Sequence, residues 1–141
     1  MIAFNTQDTA MPAIDNRAVQ RWLRSVAADY GFTIGNLNYI FCSDECILEV
    51  NRQFLQHDYY TDVITFDYTD NNVINGDVFI SLDTVNSNAR LFGTSYDTEL
   101  LRILVHGLLH LTGQGDKTPE TKTEMTRKEN AALGKLSQAG L

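Results

Sequence analysis

Leu100-Leu-Arg-Ile-Leu-Val-His106-Gly-Leu-Leu-His110-Leu-Thr-Gly113-Gln-Gly-Asp116 is the stretch whose reading decides the fold. From Leu100 to Leu111 it is apolar nearly all round, which predicts a helix buried on most of its circumference, with the rest of the chain organised around it. Two imidazoles four residues apart project from one face of such a helix, about a turn from each other. That is metal-ligand spacing. One buried histidine is usually a satisfied core group, but burying two side by side without compensation is costly. Gly113 falls where the helix needs a left-handed residue to end, and the turn it permits swings Asp116 back towards the rings. Three ligands and an open position define a catalytic rather than a closed structural site. The N, N, O set of His106, His110 and Asp116 suits zinc, and manganese, iron or nickel are chemically possible. Gly107 stands where His-Glu-x-x-His proteases carry their general base, so peptidase chemistry is not expected. What remains is a metal that polarises a carbonyl or phosphoryl oxygen, or generates hydroxide from bound water.

A chain of 141 residues with 43% hydrophobic content buries one proper core, so a single domain spanning residues 1–141 is expected. Its start shows neither a basic nor an apolar leader segment and no run reaches membrane-spanning length, which points to the cytoplasm and away from a membrane. Cys42 and Cys46 are too few for a disulfide framework and are read as reduced, largely buried thiols. The net charge of −7 excludes a protein that grips nucleic acid by overall charge, so no DNA partner is expected and any RNA partner needs a local basic patch. Arg17, Arg21 and Arg24 line one stripe of the first helix and are read first as its solvated face.

Periodicity predicts a short strand at Ile2–Phe4, a helix capped by Asp15 or Asn16 and running to about Tyr30, and a strand over residues 33–42 with Leu37, Tyr39 and Phe41 on one face. Ser43 caps a second helix that continues to about Gln56. A hairpin follows, with strands over 63–68 and from about Asp77 to Leu82, Thr69-Asp-Asn-Asn72 a turn by composition, the second strand starting after Asn75-Gly76 and the loop longer than two residues. Asp83 caps a short helix stopped by Gly93, Ser95 or Asp97 caps the histidine helix, and Thr118-Pro119 opens a charged last helix to about Leu136, with a frayed C-terminus beyond. Interleaved strands and helices with one hairpin indicate an α+β or mixed-sheet α/β domain, the metal site lying at the end of its buried helix.

The string His106-Gly-Leu-Leu-His110-Leu-Thr-Gly113, preceded by Glu99-Leu-Leu-Arg-Ile-Leu-Val, resembles the signature of the YbeY family of bacterial rRNA maturation factors. Three upstream segments match in order: Val50-Asn51-Arg-Gln-Phe54, Thr61-Asp62-Val-Ile-Thr65-Phe66, and Gly76-Asp77-Val-Phe-Ile-Ser81. The resemblance implies a metal-dependent endoribonuclease specific for single strands. It further implies action on ribosomal RNA, at the 3′ end of the small-subunit 16S molecule, and in ribosome quality control, with the small ribosomal subunit as partner. It places His106 and His110 as catalytic metal ligands and Arg52, His57, Asp58 and Asp62 as candidate substrate contacts. Two positions depart from it. Asp116 stands where the family has a third histidine, which adds a negative charge and is expected to acidify bound water less. Leu55 stands where the family commonly has an arginine able to clamp a phosphate. A non-catalytic ribosome-associated factor with a structural metal, and a metal-dependent hydrolase of another substrate, are the alternatives.

Overall fold

The computed structural model of the chain describes residues 1–56 and 62–141. Four strands, β1 (Ile2–Thr6), β2 (Thr33–Cys42), β3 (Val63–Asp67) and β4 (Val73–Ser81), form one sheet in the order β1-β2-β4-β3. The first three in that order run parallel, and β3 pairs antiparallel with β4 at the edge. Among the described residues five α-helices accompany them: α1 (Asn16–Asp29), α2 (Asp44–Val50), α3 (Leu82–Phe92), α4 (Tyr96–Leu111) and α5 (Pro119–Leu133). This is the mixed α+β architecture expected from the sequence.

Strand alternation divides the core in two. Ile2, Leu37, Tyr39, Phe41, Val78 and Ile80 share one face with the buried residues of α1 and α4. Ile64, Phe66 and Phe79 turn to the other face, where α2 contributes Ile47 and Val50. Leu100, Leu104, Leu108 and Leu109 of α4 are fully enclosed, and each such side chain stabilises the fold by about 1.5–3 kcal/mol. Polar pins fix the layers. The Tyr39 hydroxyl donates to the Leu104 carbonyl at 2.8 Å, and the Trp22 indole donates to the Ala132 carbonyl at 2.7 Å.

The seat of α4 depends on two glycines. A Cβ on Gly107 would stand 2.8 Å from Val78 Cγ1, so the helix backbone lies directly on β4. A Cβ on Gly76 would meet the Phe66 carbonyl at 2.6 Å and both Leu111 methyls at 3.1 Å. Gly76 is therefore a strand residue under the end of α4: β4 begins at Val73 and not at about Asp77, and the expected loop of more than two residues is corrected, while the turn falls inside the expected Thr69–Asn72 segment. The turn is made by Asn71 and Asn72, with φ of 50° and 61°. Asp70 and Val73 exchange both backbone hydrogen bonds around that pair, 3.1 and 2.9 Å, as in a two-residue primed turn. Asparagine tolerates the left-handed region because its short amide bonds locally.

Other boundaries shift for identifiable reasons. The second helix stops at Val50 and relaxes into a π-turn, Asn51–Leu55, closed by Gln56 at φ 57°. Ser81, not Asp83, caps α3, while Asp83 instead accepts the Asp44 backbone N–H at 3.0 Å at the start of α2. The chain after α5 forms a short 3-10 turn, Leu136–Ala139, held by a 3.0 Å bond from Arg21 Nη2 to the Ala139 carbonyl. One arginine of the α1 stripe thus fastens a terminus expected to fray.

Gly107→Ala is expected to lower stability by about 1–3 kcal/mol through overpacking against Val78. Val78→Ala in the same chain should recover part of the loss, read as the midpoint of chemical denaturation for the two single variants and the double variant.

Candidate metal centre

Ser95 starts the helix that carries the site, its hydroxyl accepting the Thr98 N–H at 3.0 Å, and Asp97 and Glu99 place negative charge in the first turn. At the far end Gly113, at φ 96°, turns the chain back. The same turn brings the Gln114 carbonyl to His110 Nδ1 at 3.0 Å and Asp116 to both rings. The helix terminus thereby supplies the third side chain of the site as well as a stop signal.

His106 Nε2 and His110 Nε2 stand 3.0 Å apart, with Asp116 Oδ2 at 3.5 Å from the first and 3.4 Å from the second. Four-coordinate zinc at about 2.0–2.2 Å from its donors separates them by roughly 3.3–3.6 Å, close to this triangle. Hydrogen bonding gives an independent test of fit. The Gln114 carbonyl can only accept, so His110 Nδ1 donates to it. Glu129 Oε2 lies 2.6 Å from His106 Nδ1, and an ionised carboxylate likewise only accepts. With both rings neutral, two Nε2 lone pairs and a carboxylate oxygen converge on one point with no donor among them. That convergence suits a cation, and among the described residues His106, His110 and Asp116 form the group that could hold a metal ion.

The surroundings favour positive charge. Burial disfavours protonation of His106, but its hydrogen bond to Glu129 and the charges of Glu129, Asp62 and Asp116 outweigh burial and raise its pKa above the usual 6.5. Burial and the neighbouring His106 lower the pKa of His110. For Glu129, burial is overcome by the bonds to His106 and Arg102, and the carboxyl is held below its ordinary range. Glu99, at the other end of the same helix face, is raised by burial and by the nearby charges of Glu129 and Asp62.

The structure thus joins His106, His110 and Asp116 and sets Asp62 within electrostatic reach of His106. Arg52 and Leu55 lie on the π-turn, whose Phe54 packs edge-on against Phe66 at 5.9 Å on the α2 side of the sheet. His57 and Asp58, also singled out in the sequence, lie outside the described residues. Glu129 was not anticipated. Its helix reads as a charged surface element, yet Met125, Glu129 and Ala132 form its buried stripe, and a carboxylate inside an apolar stripe is the signal that marks it. Arg102, one turn before His106, donates to Glu129 Oε1 at 2.8 Å and to Asn130 Oδ1 at 2.7 Å.

Fold and site together define a small α+β protein with a group able to hold a cation between a buried helix and the turn that ends it. The family model described as Endoribonuclease YbeY matches residues 2–137. A Parabacteroides distasonis protein named Endoribonuclease YbeY is 56% identical over 137 residues, covering 97% of this chain and 96% of its own. One of the same name from Bacteroides thetaiotaomicron is 53% identical over 132 residues, covering 94% and 96%. The solution structure of a Thermotoga maritima protein superposes with a TM-score of 0.68 at 25% identity, covering 96% of this chain and 89% of that one. The chain belongs to the YbeY endoribonuclease family.

In the metal-free protein, ring-proton NMR is expected to show His106 titrating above, and His110 below, pH 6.5. A pKa raised by folding stabilises the folded state below the unfolded value, and the contribution is lost as pH rises through the raised value. His110 has the opposite sign, so its contribution is lost as pH falls below about 6.5. A reversed titration order would remove the role given to Glu129 in charging His106.

Proposed function

We propose that the chain is a metal-dependent endoribonuclease, a single hydrolase domain over residues 1–141, with His106, His110 and Asp116 as the ligands of one zinc-like ion. The observation that carries this reading is the convergence of three acceptor atoms on one point, in a chain whose relatives are named endoribonucleases. A bound ion would supply Lewis acidity at a phosphodiester oxygen or a hydroxide at neutral pH. The protein's share is to present two neutral imidazoles and a carboxylate on a rigid helix and its terminal turn. Asp116, as an anion, leaves the centre one charge more negative than a third histidine would, and favours retention of a divalent cation.

The substrate in this reading is single-stranded RNA, in particular the 3′ end of small-subunit ribosomal RNA, with roles in ribosome quality control on the small subunit in the cytoplasm. A groove along α5 lined by Lys122, Thr126, Arg127 and Asn130 offers two cations to an RNA backbone, Arg127 among them being paired with Glu124. Asn130 joins it to the centre, since Arg102 bonds both Asn130 and Glu129. Arg52, His57, Asp58 and Asp62 are the further candidate substrate contacts, and Leu55 offers no charge of its own. Of the described residues, no helix is long and apolar enough to cross a membrane.

His110→Ala and Asp116→Ala are expected to reduce zinc content and single-stranded RNA cleavage by more than the roughly 10–100-fold that losing an outer hydrogen-bond partner of a ligand costs. Circular dichroism should remain that of the folded protein. Full metal content in the Asp116 variant would remove that residue from the ligand set, and undiminished cleavage by the metal-stripped protein would sink the mechanism.

A further inference from the structure

The carboxylate of Glu129 is 91% buried by side-chain area, an arrangement that needs a purpose beyond holding α5 to α4. Both its oxygens are committed: Oε2 lies 2.6 Å from His106 Nδ1, and Oε1 accepts from Arg102 Nη1 at 2.8 Å. Arg102 is itself fixed by a second bond, from Nη2 to Asn130 Oδ1 at 2.7 Å. The group is therefore held from both sides. It cannot rotate towards the ion site without abandoning a guanidinium, nor leave His106 without stranding a buried charge.

We propose that Glu129, clamped by Arg102, is a positioning residue that locks His106 in the tautomer whose Nε2 lone pair faces the metal triangle. A neutral imidazole carries one N–H, and a protonated Nε2 cannot ligate. His110 has its tautomer set by a backbone carbonyl, which no side-chain substitution can alter. His106 has no such backbone partner at Nδ1, so its readiness to ligate rests on Glu129. The inference rests on the metal reading above, and the metal it concerns is the ion held by His106, His110 and Asp116.

The clamp makes an unusual demand on the isosteric substitution. Glu129→Gln leaves one oxygen for two donors. The charged guanidinium of Arg102 forms a hydrogen bond roughly twice as strong as the neutral imidazole does, so it takes the oxygen. The amide NH2 is then turned to His106 Nδ1, which must become an acceptor, and the proton moves to Nε2 where the metal should bind. Removing the guanidinium as well frees the amide to reverse, restoring the ligating tautomer.

The test is long-range nitrogen–proton NMR of the metal-free proteins at pH 8.5, together with zinc affinity by chelator competition. The variants are wild type, Glu129→Gln, and Glu129→Gln combined with Arg102→Met, with thermal melts recorded for each. The wild type is expected to show the Nδ1–H form of His106 and the glutamine variant the Nε2–H form, with zinc affinity lower by about 10–100-fold. The double variant should regain most of that affinity, which a purely structural role for Glu129 would not produce. A wild-type His106 in the Nε2–H form overturns the proposal whatever the variants do. So does a glutamine variant that binds zinc within twofold of wild type, or a double variant that binds no better than the single. Zinc binding lost only through His110→Ala and Asp116→Ala would leave the ligand set standing without the lock, whereas a wild type that takes up no zinc overturns both.

Discussion

The contact on which the rest of the structure depends is the direct seating of α4 on β4, where Gly107 and Val78 leave no room for even a methyl group. It brings the helix backbone against the sheet and surrounds Leu104, Leu108 and Leu109 with protein. It also fixes the rotation of the helix. With Gly107 turned onto the strand, His106 and His110 are placed at the margin of the core, partly buried and facing the turn after Gly113. Close packing of this kind tolerates little displacement, which makes it a suitable support for a site whose donor atoms are separated by 3.0 to 3.5 Å.

The second constraint is electrostatic. Placing Asp62, Asp116, Glu129 and, two turns away on the same helix face, Glu99 around two imidazoles builds a negative region that the fold must offset. Arg102 offsets part of it through Glu129. A divalent cation held by His106, His110 and Asp116, as proposed, would meet the remainder, so folding and metal binding would draw on the same arrangement of charges. The acidic balance of the chain, which argues against indiscriminate binding to nucleic acid, is in this respect a property of its centre as well as its surface.

Much of this was legible in the sequence, and for stated reasons. The i, i+4 histidines, the glycine at the helix end and the aspartate six residues after His110 are local features, and helix periodicity alone puts the rings on one face. Alternation at Leu37, Tyr39 and Phe41, and the caps at Asp15, Ser43 and Thr118, follow from the same kind of local rule. Errors arose where a local rule competed with packing. Asn75-Gly76 is expected to precede the second strand, but Gly76 lies within it beneath Leu111, and the strand starts at Val73 directly after the Asn71-Asn72 turn. Asp83 resembles a cap and serves α2 instead of its own helix, because the two helix starts lie side by side.

The sequence by itself determined the elements, the two histidines and the aspartate as a group, and the likeness to a family, since each depends on neighbours within a few residues along the chain. Only the tertiary structure decided that Glu129 and Arg102, 23 residues from His106 and four residues from it respectively, meet at one imidazole. Their meeting depends on how α5 is laid across α4, and the forces that set that angle come from Met125 and Ala132 entering the core. Periodicity shows which face of a helix is apolar. It does not show which partner that face will find, nor that a carboxylate within it will have an imidazole and a guanidinium waiting.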